Sequence, residues 1–520
     1  MRRLVASISL AVFGLLPLTG CGDSPPVPAG DGDGRRLEAP TTDGPGVTPA
    51  AGMEWIRQKP HISLLLIAGQ RGKLKPCGCS EPQLGGIERL ATLVELNRRR
   101  AEAGFGALSL GWSLQDLGEA QSETKASLYR AALEVMGFDA LVLGTSDLRV
   151  PALAQPFLDG SAYDLPAPPA NVPLARTGPL AQAVDTEPFA TFEVRGLTVR
   201  ALSIVDPEQG PQLGDVAEVV LPPGGALQTL TPRPDDLWIV STDVTGAGME
   251  GLRDSVRRLG PAVILDLSGA GGVDRAENVR LADGPLVVTI AEWGKEAGIL
   301  DLEPVSAEAG GGWSASYHVL PLEASLETRP SPLRETVTAL IDTYKRRVRE
   351  RGYLAAFGTY PDDDGFAYVG STRCAVCHPG IYQEWLTTPH ATALGTLEAK
   401  AYHWDPECIR CHVVGFERFP DGRWVRVEGG FLDPGRTPHL GGVGCECCHG
   451  PGEAHVESPL DRSLWAEDGP NRRHPGKRGC AACHDIENSF GFEEDYEAKF
   501  LPRADHRDVP SDRRTVYEER

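Results

Sequence analysis

Residues 374–378 read Cys-Ala-Val-Cys-His, and the pattern returns three times, as Cys408-Ile-Arg-Cys-His412, Cys445-Glu-Cys-Cys-His449 and Cys480-Ala-Ala-Cys-His484. Two thiols three residues apart, followed at once by an imidazole, form the attachment signal of a c-type haem. The thiols Cys374, Cys377, Cys408, Cys411, Cys445, Cys448, Cys480 and Cys483 would add across the vinyl groups of four haems. His378, His412, His449 and His484 would be held under the irons as proximal ligands. Zinc also takes Cys and His, but in tetrahedral sets that do not require a His directly after every second Cys.

The first cysteines of successive motifs lie 34, 37 and 35 residues apart. A segment that short buries little apolar core of its own. Flat apolar macrocycles can supply that interior, so we expect the haems to be the core of this region and to lie close enough to exchange electrons. The four methionines, Met1, Met53, Met136 and Met249, all lie outside it, which argues against Met/His ligation. The other histidines of the region are His390, His403, His439, His455, His474 and His506. They allow mostly bis-His irons of low potential, with one iron left open.

The amino terminus carries Arg2-Arg3, a short apolar run and then Leu18-Thr19-Gly20-Cys21. This is a secretory signal over residues 1–20 with a lipoprotein cleavage motif, so Cys21 is expected to become the lipidated new N-terminus. The run is too short and poorly flanked for a stable membrane span. The mature chain should be exported and anchored to the cell envelope by lipid, on a periplasmic or outer-membrane face. Residues 21–58, rich in Pro, Gly, Ala, Asp and Thr, read as a flexible tether.

From residue 59 to about 325 the texture changes. Apolar, strand-like runs occur at 62–68, 107–110, 140–143, 197–205, 237–241, 262–267 and 286–290, with helical patterns at 86–100 and 122–136. Alternation of this kind implies an α/β domain. The order of pieces resembles the calcineurin-like metallophosphoesterases of the 5′-nucleotidase type. It shows in Leu64–Ala68 followed by Gly69-Gln70-Arg71-Gly72, in Gly85-Gly86-Ile87-Glu88-Arg89, in Gly111-Trp112, in Gly144-Thr145-Ser146-Asp147, in Asp266-Leu267-Ser268-Gly269, and in a closing strand over Val287–Leu302. The resemblance implies a β-sandwich flanked by helices. It also places Gly69, Arg71, Trp112, Thr145, Ser146, Leu267 and Gly269 where that family has metal-binding Asp, Asn and His. A two-metal hydrolase cannot hold its ions with those side chains, so phosphoesterase activity is not expected.

Cys77 and Cys79 flank a glycine in the same turn. They read as a disulfide or structural pair, or alternatively as a redox or soft-metal pair. A helical stripe of Leu333, Val337, Leu340, Ile341, Tyr344 and Val348 marks a connector within 326–366.

From Tyr368 onward the chain resembles the cytochrome c554 family of multihaem cytochromes. The likeness runs through Val369-Gly370-Ser371, the first motif, Pro379, Tyr382, Trp385 and Pro389-His390-Ala391. It continues through Cys408–Gly415 and through Gly442–Gly452 with His455. The resemblance implies His390, His455 and His506 as distal ligands, with His403, His439 and His474 as second-rank candidates. If those three are the only distal ligands, the same analogy makes the haem of Cys408/Cys411 the one left five-coordinate. Cys447, beside Cys448, is expected to be a spare buried thiol rather than a disulfide partner of Cys77 or Cys79.

The net charge of −21 and a pI near 5.1 speak against nucleic acid and for a basic redox partner protein steered by charge. The expected architecture is multidomain: the α/β domain (59–325), the connector (326–366) and a mainly α, haem-packed multihaem cytochrome domain (367–520). The expected role is electron carriage. An oxidoreductase acting on a small nitrogen or sulfur compound at one open iron is the alternative.

Overall fold

A computed structural model describes residues 59–76, 83–113, 119–147, 189–208, 222–269, 271–291, 293–361, 365–419, 423–465, 471, 476–485, 488–489, 491–504 and 506. The signal and tether, Cys21, Cys77, Cys79 and His474 lie outside them.

The first strand, β1 (Ile62–Ile67), shows how the amino-terminal part is layered. All six of its residues are buried. Successive side chains of a strand point to opposite faces. Ile62, Leu64 and Leu66 accordingly enter one apolar cluster, and Leu65 and Ile67 enter another. A strand covered on both faces reads as a continuous apolar run rather than an alternating one.

In this sheet β1 pairs in parallel with β2 (Phe105–Leu110), and β2 in parallel with β3 (Ala140–Val142). The second sheet runs β4 (Ala190–Val194), β5 (Leu197–Ile204), β6 (Leu237–Thr242), β7 (Ala262–Asp266) and β9 (Leu286–Thr289), with only the β4–β5 pair antiparallel. Its Val199, Ala201, Ile239, Val263, Leu265 and Val288 meet Leu64, Leu66, Leu108 and Leu110 in one cluster between the sheets. Its opposite face carries Leu202, Ile204, Trp238, Val240 and Ile264 against Leu227 of α3 (Pro223–Gln228) and Leu252 and Val256 of α4 (Gly246–Arg257). Helices α1 (Ile87–Ala101) and α2 (Glu119–Met136) cover the outside of the first sheet. The result is a β-sandwich with helices on both outer faces.

The stretch 287–302, expected as one strand, divides between the two sheets. Leu286–Thr289 ends in the second sheet, and β10 (Glu296–Pro304) begins in the first, antiparallel to β1. Between them Trp293 and Gly294 have φ of 71° and 63°, a left-handed backbone that cannot continue a strand. β11 (Trp313–Pro321) and then β8 (Arg275–Arg280) complete the first sheet.

Helix α5 (Pro332–Arg351) starts with Pro332 in its first turn and with Ser331 Oγ accepting from Arg334 N at 3.1 Å; it stops at Gly352, φ 65°. Its buried stripe is Val337, Ile341, Tyr344 and Val348, four residues of the sequence pattern. That stripe belongs to the cluster formed by α1 and α2. The same cluster continues into Tyr368, Leu397, Tyr402, Ile409, Val413, Val427, Phe431 and Leu440, so the carboxy-terminal region shares a core with the sandwich.

Beyond a small sheet of β12 (Thr359–Tyr360), β13 (Phe416–Arg418) and β14 (Trp424–Val427), the described helices between 365 and 506 are eight residues or shorter. Among the described residues no helix is long and apolar enough to cross a membrane.

Candidate haem centre

Each Cys-x-x-Cys-His run is folded into a short helical turn. In the first, the amides of Cys377 and His378 both donate to the Cys374 carbonyl, at 3.2 and 2.8 Å. In the fourth, Cys483 and His484 donate to Cys480 at 3.1 and 2.9 Å. Residues three and four apart on a helix are neighbours, so two thiols and an imidazole are gathered on one side. The second motif begins inside the helix Pro406–Ile409, whose N-cap Asp405 accepts from Glu407 N at 3.0 Å. The third motif is itself the helix Cys445–His449.

The thiols of different motifs are also brought together. Cys374 stands beside Cys445, and Cys411 beside Cys483, which sets the first motif next to the third and the second next to the fourth.

Three histidine pairs face each other across the motifs. The His378 and His455 rings lie 6.2 Å apart at 27°. His484 and His390 lie 6.0 Å apart, and His449 and His506 lie 5.7 Å apart. A metal gripped by two imidazoles through bonds of about 2 Å sets their centroids roughly 6 Å apart. Each pair joins a motif histidine to one of the three distal candidates, and together they leave the spacing that a six-coordinate iron needs.

Protonation suits the same purpose. Burial pushes His390, His412 and His455 below the ordinary imidazole range. Burial, and then the neighbouring His390, push His484 down to about 4. These rings stay neutral and keep a lone pair for a metal. His484 Nδ1 lies 2.7 Å from Ser489 Oγ, and His412 Nδ1 lies 2.7 Å from the Ala393 carbonyl. A bonded Nδ1 orients the ring and leaves Nε2 as the coordinating nitrogen. The donor set, the turns and the ring spacing fit covalently attached haem.

His412 differs from the other three. Among the described residues it pairs with no second imidazole. His403 packs on Trp404, ring centroids 5.3 Å apart, and its Nδ1 is buried without a hydrogen-bond partner. His439 lies in the turn Pro438–Leu440, where its carbonyl oxygen is 2.7 Å from the position a Cβ on Gly370 would take.

Sequence reasoning missed the residues that tie the motifs together. The buried carboxylate of Glu446 accepts Val369 N, Gly370 N and Gly452 N at 2.9, 2.8 and 2.7 Å, holding the approach to the first motif against the third. Ser371 Oγ accepts Cys445 N at 3.1 Å, and Trp385 Nε1 donates to the Val443 carbonyl at 2.9 Å. A Glu between two motif cysteines carries no local sign of such a role. Cys447 corrects an expectation: it is solvent-exposed, and its thiol donates to the Val413 carbonyl at 3.5 Å. It stands two residues after Cys445, off the side that Cys445 and Cys448 share.

In the sandwich, the loops after β1, β2, β3 and β7 bring the expected substituted positions to one end. The Arg71 guanidinium sits 4.5 Å from the ring centres of both Trp112 and Trp293. Thr145 Oγ1 donates to Asp243 at 2.6 Å, and Asp243 also accepts Asp206 N at 2.7 Å. Asp147 accepts Ser113 N and Gly144 N, and Asp266 accepts Ser268 N and Gly271 N. Leu267 is buried, and Gly269 turns the chain at φ 70°. The carboxylates at this end are spent on loop amides and hydroxyls. Among the described residues no three of His, Cys, Asp and Glu are grouped to hold a metal ion.

Residues 373–450 match the family model described as cytochrome c554 and c-prime. The chain is 31% identical over 144 residues to cytochrome c-554 of Nitrosomonas europaea, a match covering 22% of this chain and 57% of that relative. Among solved structures it is similar to a 5′-nucleotidase precursor from Thermus thermophilus, at 17% identity and a TM-score of 0.41, over 65% of this chain and 67% of that one. It is also similar to the calcineurin-like phosphoesterase YfkN from Bacillus subtilis, at 14% identity and a TM-score of 0.40, over 56% of this chain and 98% of that one.

Proposed function

We propose that this chain, whose residues 373–450 carry a cytochrome c554 segment, is an exported, lipid-anchored tetrahaem c-type cytochrome that relays electrons at a membrane surface. The observation that carries the proposal is the three facing pairs, His378/His455, His484/His390 and His449/His506. When bound, the haems supply one-electron chemistry; the chain supplies thiols, imidazoles and their orientation. Placement of the first motif next to the third and of the second next to the fourth supports close haem neighbours along a row. The anchor rests on Cys21 within Leu18-Thr19-Gly20-Cys21. The net charge of −21 favours a basic protein as redox partner.

The sandwich domain serves as a scaffold or docking platform and not as a hydrolase. Support comes from the Arg71 cation stacked between two indoles, at one of the positions where the sequence resemblance places a metal ligand.

The test is the exported protein made with a working cytochrome-maturation system. Four irons per chain, a pyridine haemochrome and low-spin spectra are expected. Fewer than four covalent haems refutes the assignment.

His412 supports a second reading, an oxidoreductase for a small nitrogen or sulfur compound at one open iron, because no described imidazole faces it. Carbon monoxide binding at one equivalent per reduced chain, with a high-spin band, is its signature. Fully low-spin spectra leave the carrier alone.

A further inference from the structure

The second motif is held by the sandwich domain. Glu407, immediately before Cys408, accepts from Lys73 Nζ at 3.1 Å and makes a closer ion pair with Lys125 Nζ. The side chains of Lys73, Lys125 and Glu407 are 8%, 3% and 11% exposed. Asp405, the cap of the same turn, accepts Gln121 Nε2 at 2.7 Å and Tyr344 OH at 3.0 Å. Lys73 lies in the loop after β1, two residues from the Arg71 stack; Gln121 and Lys125 lie on α2, and Tyr344 on α5. Four contacts from three elements thus converge on a turn that leads into a haem attachment site.

Charge in this cluster does not cancel. Two ammonium groups face the Glu407 carboxylate, and Arg410, inside the motif, adds a third cation acting on it. Asp405 is fully enclosed, and burial pushes its carboxyl up toward the neutral form. Burial also removes the water that would screen these charges, so they act strongly over a few ångströms. Reducing ferric to ferrous iron adds one electron and lowers the local charge by one. A surplus of fixed positive charge favours that change.

We propose that the loop after β1 and helix α2 have been turned from a hydrolase scaffold into an electrostatic support for the second haem, with Lys73 and Lys125 as positioning residues that raise its reduction potential. The proposal rests on the tetrahaem reading and gives the sandwich domain a definite task within it. Its cations set one member of the haem row apart from the other three.

The experiment is a spectroelectrochemical titration of the full four-haem protein, after the pyridine haemochrome has confirmed four haems in the unaltered chain. A haem count below four overturns the tetrahaem reading and this proposal with it. In Lys125→Met one of the four one-electron components should move to lower potential. In Glu407→Gln the same component should move to higher potential. Each displacement should change the oxidised-to-reduced ratio at fixed potential about tenfold, equivalent to about 59 mV for one electron. Lys125→Arg, which keeps the charge, should restore the parent value. Should Lys125→Met fail to accumulate as a four-haem protein, Lys73→Met gives the same readout from a different element. Four components that stay in place with the parent haem count, or that all move together, overturn the proposal and leave the cluster as a domain clamp.

Discussion

At the scale of single residues, Glu407 shows how a buried charge is kept ionised. Burial alone pushes its carboxyl up; Lys125, Lys73 and Arg410 outweigh that and hold it well below the usual carboxylate range. A carboxyl depressed in the folded state contributes stability that is complete above its unfolded value of about 4.3 and is lost as pH falls through the folded value. Asp405, pushed up by burial and by the Glu407 charge, works in the opposite direction. The contribution of Glu407 is therefore isolated as a difference between proteins. Glu407→Gln should lose about 3–5 kcal/mol at pH 7, the cost of breaking a buried pair from one side. Denaturant titrations at pH 7 and pH 3 should show the gap narrowing at the lower pH. A gap that is constant with pH would mean the carboxylate charge is not what stabilises the fold.

At the scale of elements, what matters is how short pieces are set against each other. His455 lies on the five-residue helix Glu453–Glu457 and faces His378 from another motif. His455→Ala should therefore add one carbon-monoxide-binding equivalent to the reduced holoprotein and a high-spin band, with all four haems still attached. Unchanged gas binding would show that His455 is not the opposing ligand. The turn between β9 and β10 makes a second case. An added Cβ at Gly294, φ 63°, would lie 2.6 Å from Gln70 Oε1, so Gly294→Ala meets both backbone strain and a clash. A loss of about 1–3 kcal/mol is expected in denaturant melts. A neutral effect would indicate that the loop after β1 yields freely.

At the scale of the whole molecule, the two halves are built on different terms. Between 59 and 351 the sandwich has long strands and helices around three apolar clusters, one of which runs on into the carboxy-terminal region. Between 365 and 506 the pieces are short, and the helix Pro379–Leu386 buries none of its residues against protein. On the proposed reading, attached macrocycles supply the part of its interior that protein contacts do not. Exported protein made without haem attachment should be cut by protease within 365–506 while a fragment spanning 59–351 survives, as read by mass spectrometry. Equal resistance of both regions would mean that protein contacts alone supply the second core.

The sequence determined whatever is local. A thiol, a second thiol three residues on and a histidine after it make a haem-attachment signal within five residues, so the eight cysteines and the four histidines beside them could be proposed for that role without a fold. Largely apolar runs such as Ile62–Ile67 located the strands, because a strand buried on both faces has few places for a polar side chain. Only the tertiary structure decided which imidazoles face each other, since His378 and His455 or His484 and His390 are far apart along the chain and meet through packing. It also decided that 287–302 crosses between sheets, that Glu446 ties two motifs together, and that Lys73 and Lys125 close on Glu407. Those outcomes depend on where charges and backbone amides are buried, and burial belongs to the folded whole rather than to any short stretch of it.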